Sequence, residues 1–279
     1  MKTYSLILLL VIPFVAPAQH YFNELLEAKS IEQRMKVLLD QKVETVTATG
    51  FDERGARSRD FNEWQQVHPS TRTWLVQTRN GLSISRTAYR FNTAGRLLSI
   101  TDSANGVTSL TEYKYDPQNR ISEVLINVKD SAQEFSQTES HQWSYDASGS
   151  PTRFLRIVDK KDTTEFRLTK DEKGRVADEQ LFRRNTGLDQ LYYYYNSQDQ
   201  ITDIVRYNKR LKKLLPDFMF EYDEQGRVIQ KIATVSTRSS DYIIWRYAYN
   251  EHGLKTREAL FNKQKEMTGR IEYAYTFLP

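Results

Sequence analysis

The heptapeptide Tyr222-Asp223-Glu224-Gln225-Gly226-Arg227-Val228 decides how this chain is read, because near-copies of it recur along most of the sequence. Phe91-Asn92-Thr93-Ala94-Gly95-Arg96, Tyr115-Asp116-Pro117-Gln118-Asn119-Arg120 and Tyr145-Asp146-Ala147-Ser148-Gly149 are close relatives, and looser versions begin at Phe51, Lys170, Tyr195 and Tyr249. From Phe91 onward the anchors stand 24, 30, 25, 25, 27 and 27 residues apart. Such near-regular spacing marks a repeat architecture.

The spacing inside each unit has a mechanical reason. Asp or Asn at the first turn position can accept backbone N–H groups, and Gly or Asn three residues on tolerates positive φ. That is the signature of a three-residue hairpin loop closed by a G1 bulge. The pairs Asp52/Gly55, Asn92/Gly95, Asp116/Asn119, Asp146/Gly149, Asp171/Gly174, Asn196/Asp199, Asp223/Gly226 and Asn250/Gly253 all fit.

Ahead of the turns, aromatics stand two apart, as in Tyr113/Tyr115, Trp143/Tyr145, Phe220/Tyr222 and Tyr247/Tyr249. A period of two places each pair on one strand face. Behind the turns come returning runs such as Ile121 to Val128. The expected fold is therefore all-β, a curled antiparallel meander of about 16 or more strands over residues 43–279. Asn80-Gly81 adds a further hairpin, and neighbouring repeats are expected to stack their aromatics into a ladder along one face. Ser30 and Gln33 read as a capping box opening an amphipathic helix within residues 19–42. That helix is expected to cover the edge or end of the first hairpins.

Residues 1–18 read as a signal peptide: Lys2, an apolar stretch from Leu6 to Val15, then Ala16-Pro17-Ala18 before Gln19. The mature chain is expected to be secreted, periplasmic or cell-surface, without integral membrane insertion. The chain has no cysteine, which excludes disulfides and thiolate metal sites. A net charge of +4 over 279 residues does not indicate nucleic-acid binding.

At these turns the chain resembles the YD-repeat, or RHS-repeat, family, whose hallmark is Tyr-Asp-x-x-Gly-Arg followed by an apolar residue. Tyr222 to Val228 matches it fully, Phe91 to Leu97 nearly, and Tyr115 to Ile121 with Asn in place of Gly. In large members the repeats form a spiralling β-shell that can enclose a toxin, and related repeats occur in adhesion proteins. The resemblance implies the architecture and an extracytoplasmic setting. This chain is expected to have too few repeats to enclose a domain and to carry no C-terminal cargo domain, and no catalytic residue carries over.

No catalytic motif stands out. His20, His68, His141 and His252 are scattered without metal-ligand spacing, and no cofactor is expected. The pairs Asp52-Glu53, Asp171-Glu172 and Asp223-Glu224 lie in turns and are expected to be solvated with ordinary pKa values. A non-enzymatic interaction or scaffold module is the leading reading, with a protein or glycan partner at the cell envelope. The candidate ligand-binding residues are Tyr192 and Tyr194, from a run that places two rings on each strand face, and the basic Lys209, Arg210, Lys212 and Lys213. All eight turns are expected on one acidic edge, opposite a basic rim. A polysaccharide-binding accessory is the alternative. An outer-membrane barrel is disfavoured, because Arg153, Asp159 and Lys161 occupy one strand phase and Arg156 and Lys160 the other.

Overall fold

The computed structural model describes residues 22–279 except 185, 209–210 and 235–240. The signal peptide, His20, Lys209 and Arg210 lie outside the described residues. Among the described residues one helix, α1 (Phe22–Asp40), precedes eighteen strands. The first nine are β1 (Val43–Asp52), β2 (Arg57–His68), β3 (Thr73–Asn80), β4 (Ser83–Phe91), β5 (Leu97–Ala104), β6 (Val107–Tyr115), β7 (Ile121–Asp130), β8 (Phe135–Tyr145) and β9 (Pro151–Val158). The second nine are β10 (Asp162–Lys170), β11 (Val176–Arg183), β12 (Thr186–Tyr195), β13 (Ile201–Asn208), β14 (Lys213–Tyr222), β15 (Val228–Thr234), β16 (Tyr242–Tyr249), β17 (Lys255–Phe261) and β18 (Met267–Phe277).

Every strand pairs antiparallel with its neighbours in sequence, and β1 also pairs with β18, with Thr47 opposite Ala274 and Gly50 opposite Ile271. The meander is therefore a closed up-and-down barrel, a finer result than the curled sheet expected. Closure satisfies the backbone groups that an open sheet leaves along its two edges.

The turns form as their sequences imply. In each of the eight, the Asp or Asn backbone N–H bonds the carbonyl four residues on, as from Asp223 to Arg227 at 3.0 Å. The same side chain accepts two further backbone N–H groups, those of Gln225 and Arg227 in the Asp223 turn. Asn119 and Asp199 adopt φ of 61° and 60° where other copies carry Gly. A ninth turn of this type, Asn262 to Glu266, has Lys265 in the positive-φ position and escaped the sequence reading.

One expectation is corrected here. The turns starting at Asn92, Asp116, Asp146, Asp171, Asn196, Asp223 and Asn250 share one end of the barrel, the lower rim, but the Asp52 turn lies at the opposite, upper rim. Two strands separate successive lower turns, whereas three strands, β2 to β4, separate Asp52 from Asn92, and odd parity reverses the end.

The helix also differs from expectation. It begins at Phe22, so Ser30 is mid-helix, and it lies inside the barrel rather than against an edge. Its side chains meet inward-facing residues from β2 and β3 (Gln65, Trp74), β6 (Tyr115), β8 (His141, Trp143) and β12 (Tyr193). Closure removes the edge the helix was expected to cover and creates a lumen that needs filling. Ala28, Met35 and Leu38 of α1 join Val43, Val124, Trp143, Phe154, Leu191 and Ile204 in one core.

Candidate functional site

Two regions carry unusual chemistry: the lumen around α1 and the outer wall over β12 to β16. The lumen is lined by tyrosines from successive repeats, and their hydroxyls show what the repeat tyrosine does. Tyr115 reaches Leu97 carbonyl at 2.7 Å, Tyr145 reaches Ile121 at 2.7 Å, Tyr195 reaches Val176 at 2.8 Å, Tyr222 reaches Ile201 at 2.7 Å, and Tyr249 reaches Val228 at 3.0 Å. Each bond ties one repeat to the strand that starts the repeat before it. The arginine of the motif completes the interlock. Arg227 clasps Asp223 of its own turn at 2.7 Å and lies over the Tyr249 ring of the next repeat at 4.8 Å. Arg120 over Tyr145 and Arg175 over Tyr195 repeat the arrangement at 4.5 and 4.4 Å. Where Lys170 replaces the tyrosine, its ammonium reaches Asp146 of the preceding turn.

The aromatic ladder thus runs along the inner face, joined by hydroxyl–carbonyl bonds and stacked guanidinium groups. Burial pushes the Tyr145 and Tyr249 phenols up to about 12, so they remain O–H donors. Two of the turn carboxylates expected to be ordinary, Asp171 and Asp223, are shifted. The Arg175 hydrogen bond holds Asp171 below the usual range, and at Asp223 the backbone and side-chain bonds of Arg227 outweigh the opposing desolvation.

The helix is fixed to the wall by charge. Glu24 accepts from His141 Nδ1 at 2.6 Å and from Trp143 Nε1 at 2.8 Å. His141 Nε2 faces Glu139, which also receives a bidentate bond from Arg156. Burial alone would lower the His141 pKa, but the Glu24 charge and the Glu139 hydrogen bond outweigh it and hold it at about 9. The imidazolium therefore uses both N–H groups and is no free base at neutral pH. Nearer the lower rim, Glu32 accepts from Leu97 N–H and Arg96, each at 3.0 Å. At the helix start, the buried Glu179 accepts Phe22 N–H at 2.8 Å and Tyr193 O–H at 3.1 Å, placing an anion at the positive end of the helix dipole.

Sequence reasoning weighed His141 only as a metal ligand and passed over Glu139, yet their alternation with Trp143 and Tyr145 was the available signal: charged residues share the inward phase. Elsewhere in the lumen, burial pushes Glu27 up and Lys231 and Lys255 down. Among the described residues no cluster of His, Asp or Glu has the arrangement to hold a metal ion.

The Tyr192 to Tyr195 run divides as its period implies. Tyr193 and Tyr195 point inward, and Tyr192 and Tyr194 point outward, with Tyr194 47% exposed. Lys212 and Lys213 are exposed at the upper rim, at the far end of β13 and β14 from the lower turns. The structure thus does not bring the two candidate groups into one site. A groove of about 460 Å³ crosses the outer wall over β14 to β16, lined by Met219, Ile232, Tyr242, Ile244 and Arg246, with Lys265 from the last upper turn.

These features define a closed, internally plugged β-barrel of interlocked hairpin repeats. Residues 77–127 match the family model described as RHS Repeat, so this stretch of the chain is related to RHS repeats. No curated protein matches the chain. Among solved structures, the TcdB2-TccC3-Cdc42 complex matches at 15% identity over 77% of this chain, with a TM-score of 0.34. The Tc holotoxin pore of Photorhabdus luminescens matches at 14% identity over 78%, with a TM-score of 0.35. The chain spans 11% and 12% of the length of those two toxin chains. A porin-like protein from Bacteroides uniformis matches at 9% identity over 85% of this chain and 97% of that one, with a TM-score of 0.44.

Proposed function

We propose that this protein is a non-enzymatic module of the cell envelope, exported by its N-terminal signal and acting through its outer wall and rims as an interaction scaffold. The observation that carries the reading is the helix in the lumen. Glu24, Glu32, His141 and Glu179, the groups a reaction centre would draw on, are all engaged in holding α1 to the wall. Surface remains as the working part, as is general for repeat proteins. Fractionation and N-terminal sequencing of the expressed chain should find it outside the cytoplasm and beginning at Gln19. Cytoplasmic protein retaining residues 1–18, or robust catalytic turnover by the mature chain, would overturn the reading.

Closure invites a transmembrane alternative, but the outward phase opposes it. Lys114 and Glu123 form an outward ion pair at 2.7 Å, and Arg153 and Arg167 flank Glu165 at 3.0 and 3.1 Å. A lipid-facing wall needs an unbroken apolar band at mid-height. The native protein should therefore be recovered without detergent.

A second reading, polysaccharide binding, has one favouring observation: the outward Tyr194 ring, with Tyr192 two residues away on the same face. Tyr194→Ala should weaken retention on immobilised glycans and leave the melting temperature unchanged. Equal retention would remove glycans from consideration at this wall.

A further inference from the structure

Exposed apolar side chains are not scattered evenly over this barrel. Of eleven large hydrophobic residues exposed among the described residues, six (Leu188, Tyr194, Tyr207, Leu211, Leu214 and Met219) belong to β12, β13, β14 and the hairpin joining the last two. Four of them gather at the upper ends of these strands. Leu188 is two residues into β12, Tyr207 one residue from the end of β13, Leu211 in the hairpin and Leu214 one residue into β14, with Tyr207 directly opposite Leu214. Their exposures are 39%, 45%, 50% and 44%.

Cations surround this patch. Arg183 and Arg184 at the β11–β12 turn and Lys212 and Lys213 beside Leu211 are all exposed, and none forms an ion pair among the described residues. Exposed carboxylates nearby are Asp189 on β12 and, at the neighbouring β9–β10 turn, Asp159 and Asp162, and Asp217 is already paired with Arg206 at 2.9 Å. Lys209 and Arg210 lie outside the described residues, and nothing here rests on them.

We propose that this upper corner of the barrel docks on an anionic phospholipid surface, with Leu188, Leu211 and Leu214 entering the headgroup boundary, Tyr207 at the interface and the four cations on lipid phosphates. Three arguments select this occupant. A second copy of the chain would bring four unpaired cations against their own two-fold images, a like-charge contact. A glycan would need flat ring platforms, whereas three of the four apolar side chains here are branched aliphatics. A bilayer instead suits an exposed rim, where apolar residues bury shallowly while long basic side chains reach the phosphates. The inference names a partner for the outer surface and so rests on the scaffold reading.

The test is co-sedimentation of the mature protein with vesicles of phosphatidylcholine alone or with one quarter phosphatidylglycerol. Binding to the anionic vesicles alone is expected, falling as salt shortens the reach of charge from about 8 Å at physiological ionic strength. Leu211→Ser/Leu214→Ser and Lys212→Glu/Lys213→Glu should each weaken binding on the order of tenfold or more. Both pairs are exposed, so an unchanged melting temperature verifies the fold of each variant. Absence of pelleting, equal pelleting of the variants, or a wild-type dimer that Leu211→Ser/Leu214→Ser makes monomeric without any vesicle binding would each overturn the proposal. A protein that ignores vesicles yet captures a soluble envelope component would sink the docking surface and spare the scaffold reading.

Discussion

At the residue scale, the repeat motif is a set of separable mechanical parts. The Asp or Asn side chain caps two backbone N–H groups, the next-but-two residue supplies positive φ, the arginine clasps that Asp and covers the following tyrosine, and the tyrosine hydroxyl reaches back one repeat. Tyr222→Phe removes the hydroxyl and leaves the Ile201 carbonyl without its partner. It should lower the unfolding free energy by about 1 kcal/mol in denaturant titration, with an unchanged m-value. Two glycines separate backbone strain from contact. Gly95 has φ of 80° and nothing near a Cβ, whereas at Gly226, φ 79°, a Cβ would meet Gln200 Nε2 at 2.8 Å. Gly95→Ala should cost about 1 kcal/mol from the left-handed backbone alone. Gly226→Ala should cost more, since Gln200 must also give up its bond to the Gly226 carbonyl. Equal costs would show that the side-chain contact is immaterial.

At the element scale, α1 is held by charge as well as by apolar packing, which makes its docking sensitive to pH. His141 has an ordinary pKa of 6.5 and a folded value of about 9. Its stabilisation is therefore fully present below 6.5 and is lost as pH rises through about 9. Glu139 is lowered from 4.5, so its contribution is present above that value and is lost as pH falls below it. Thermal midpoints should accordingly decline from neutral pH towards pH 10. Other groups lose charge towards alkaline pH too, Lys231 and Lys255 among them because burial lowers both, so the difference between wild type and His141→Ala isolates the clamp. That difference should shrink across the alkaline range, and a constant difference would show that His141 is neutral in the fold. Glu24→Gln weakens the same clamp from the helix side and should destabilise at pH 7, with protease cleavage within 22–40 as an independent readout of helix release.

The elements were legible in unequal measure. The hairpin turns could be read because each is closed within five residues by groups of its own, from the Asp223 carboxylate to the N–H groups of Gln225 and Arg227. The start of the helix could not. A capping box at Ser30 is a local signal, but the donor at Phe22 is satisfied by Glu179, 157 residues away. The wall site was half legible. Period two divided Tyr192 and Tyr194 from Tyr193 and Tyr195, but whether the outward pair stood near Lys212 and Lys213 depended on strand direction. The inward charges at Glu139 and His141 carried no local signal of their pairing, because their partners, Glu24 and Arg156, come from the helix and from the next strand.

At the scale of the whole molecule, closure is the central structural fact. Deleting β18 would leave β1 and β17 as free edges and remove the inward Tyr273 and Tyr275. The truncated chain should lose its cooperative melt and elute as oligomers in size-exclusion chromatography. The sequence by itself determined the hairpin register, the inward and outward phases and the repeat-to-repeat spacing, because those depend on residues a few positions apart. Only the tertiary structure decided that the meander closes, that α1 lies within it and that one corner gathers exposed leucines beside cations without an ion pair among the described residues. Those outcomes rest on pairings such as Thr47 with Ala274, whose physical basis is the accumulated twist of eighteen strands, a sum that no single segment encodes.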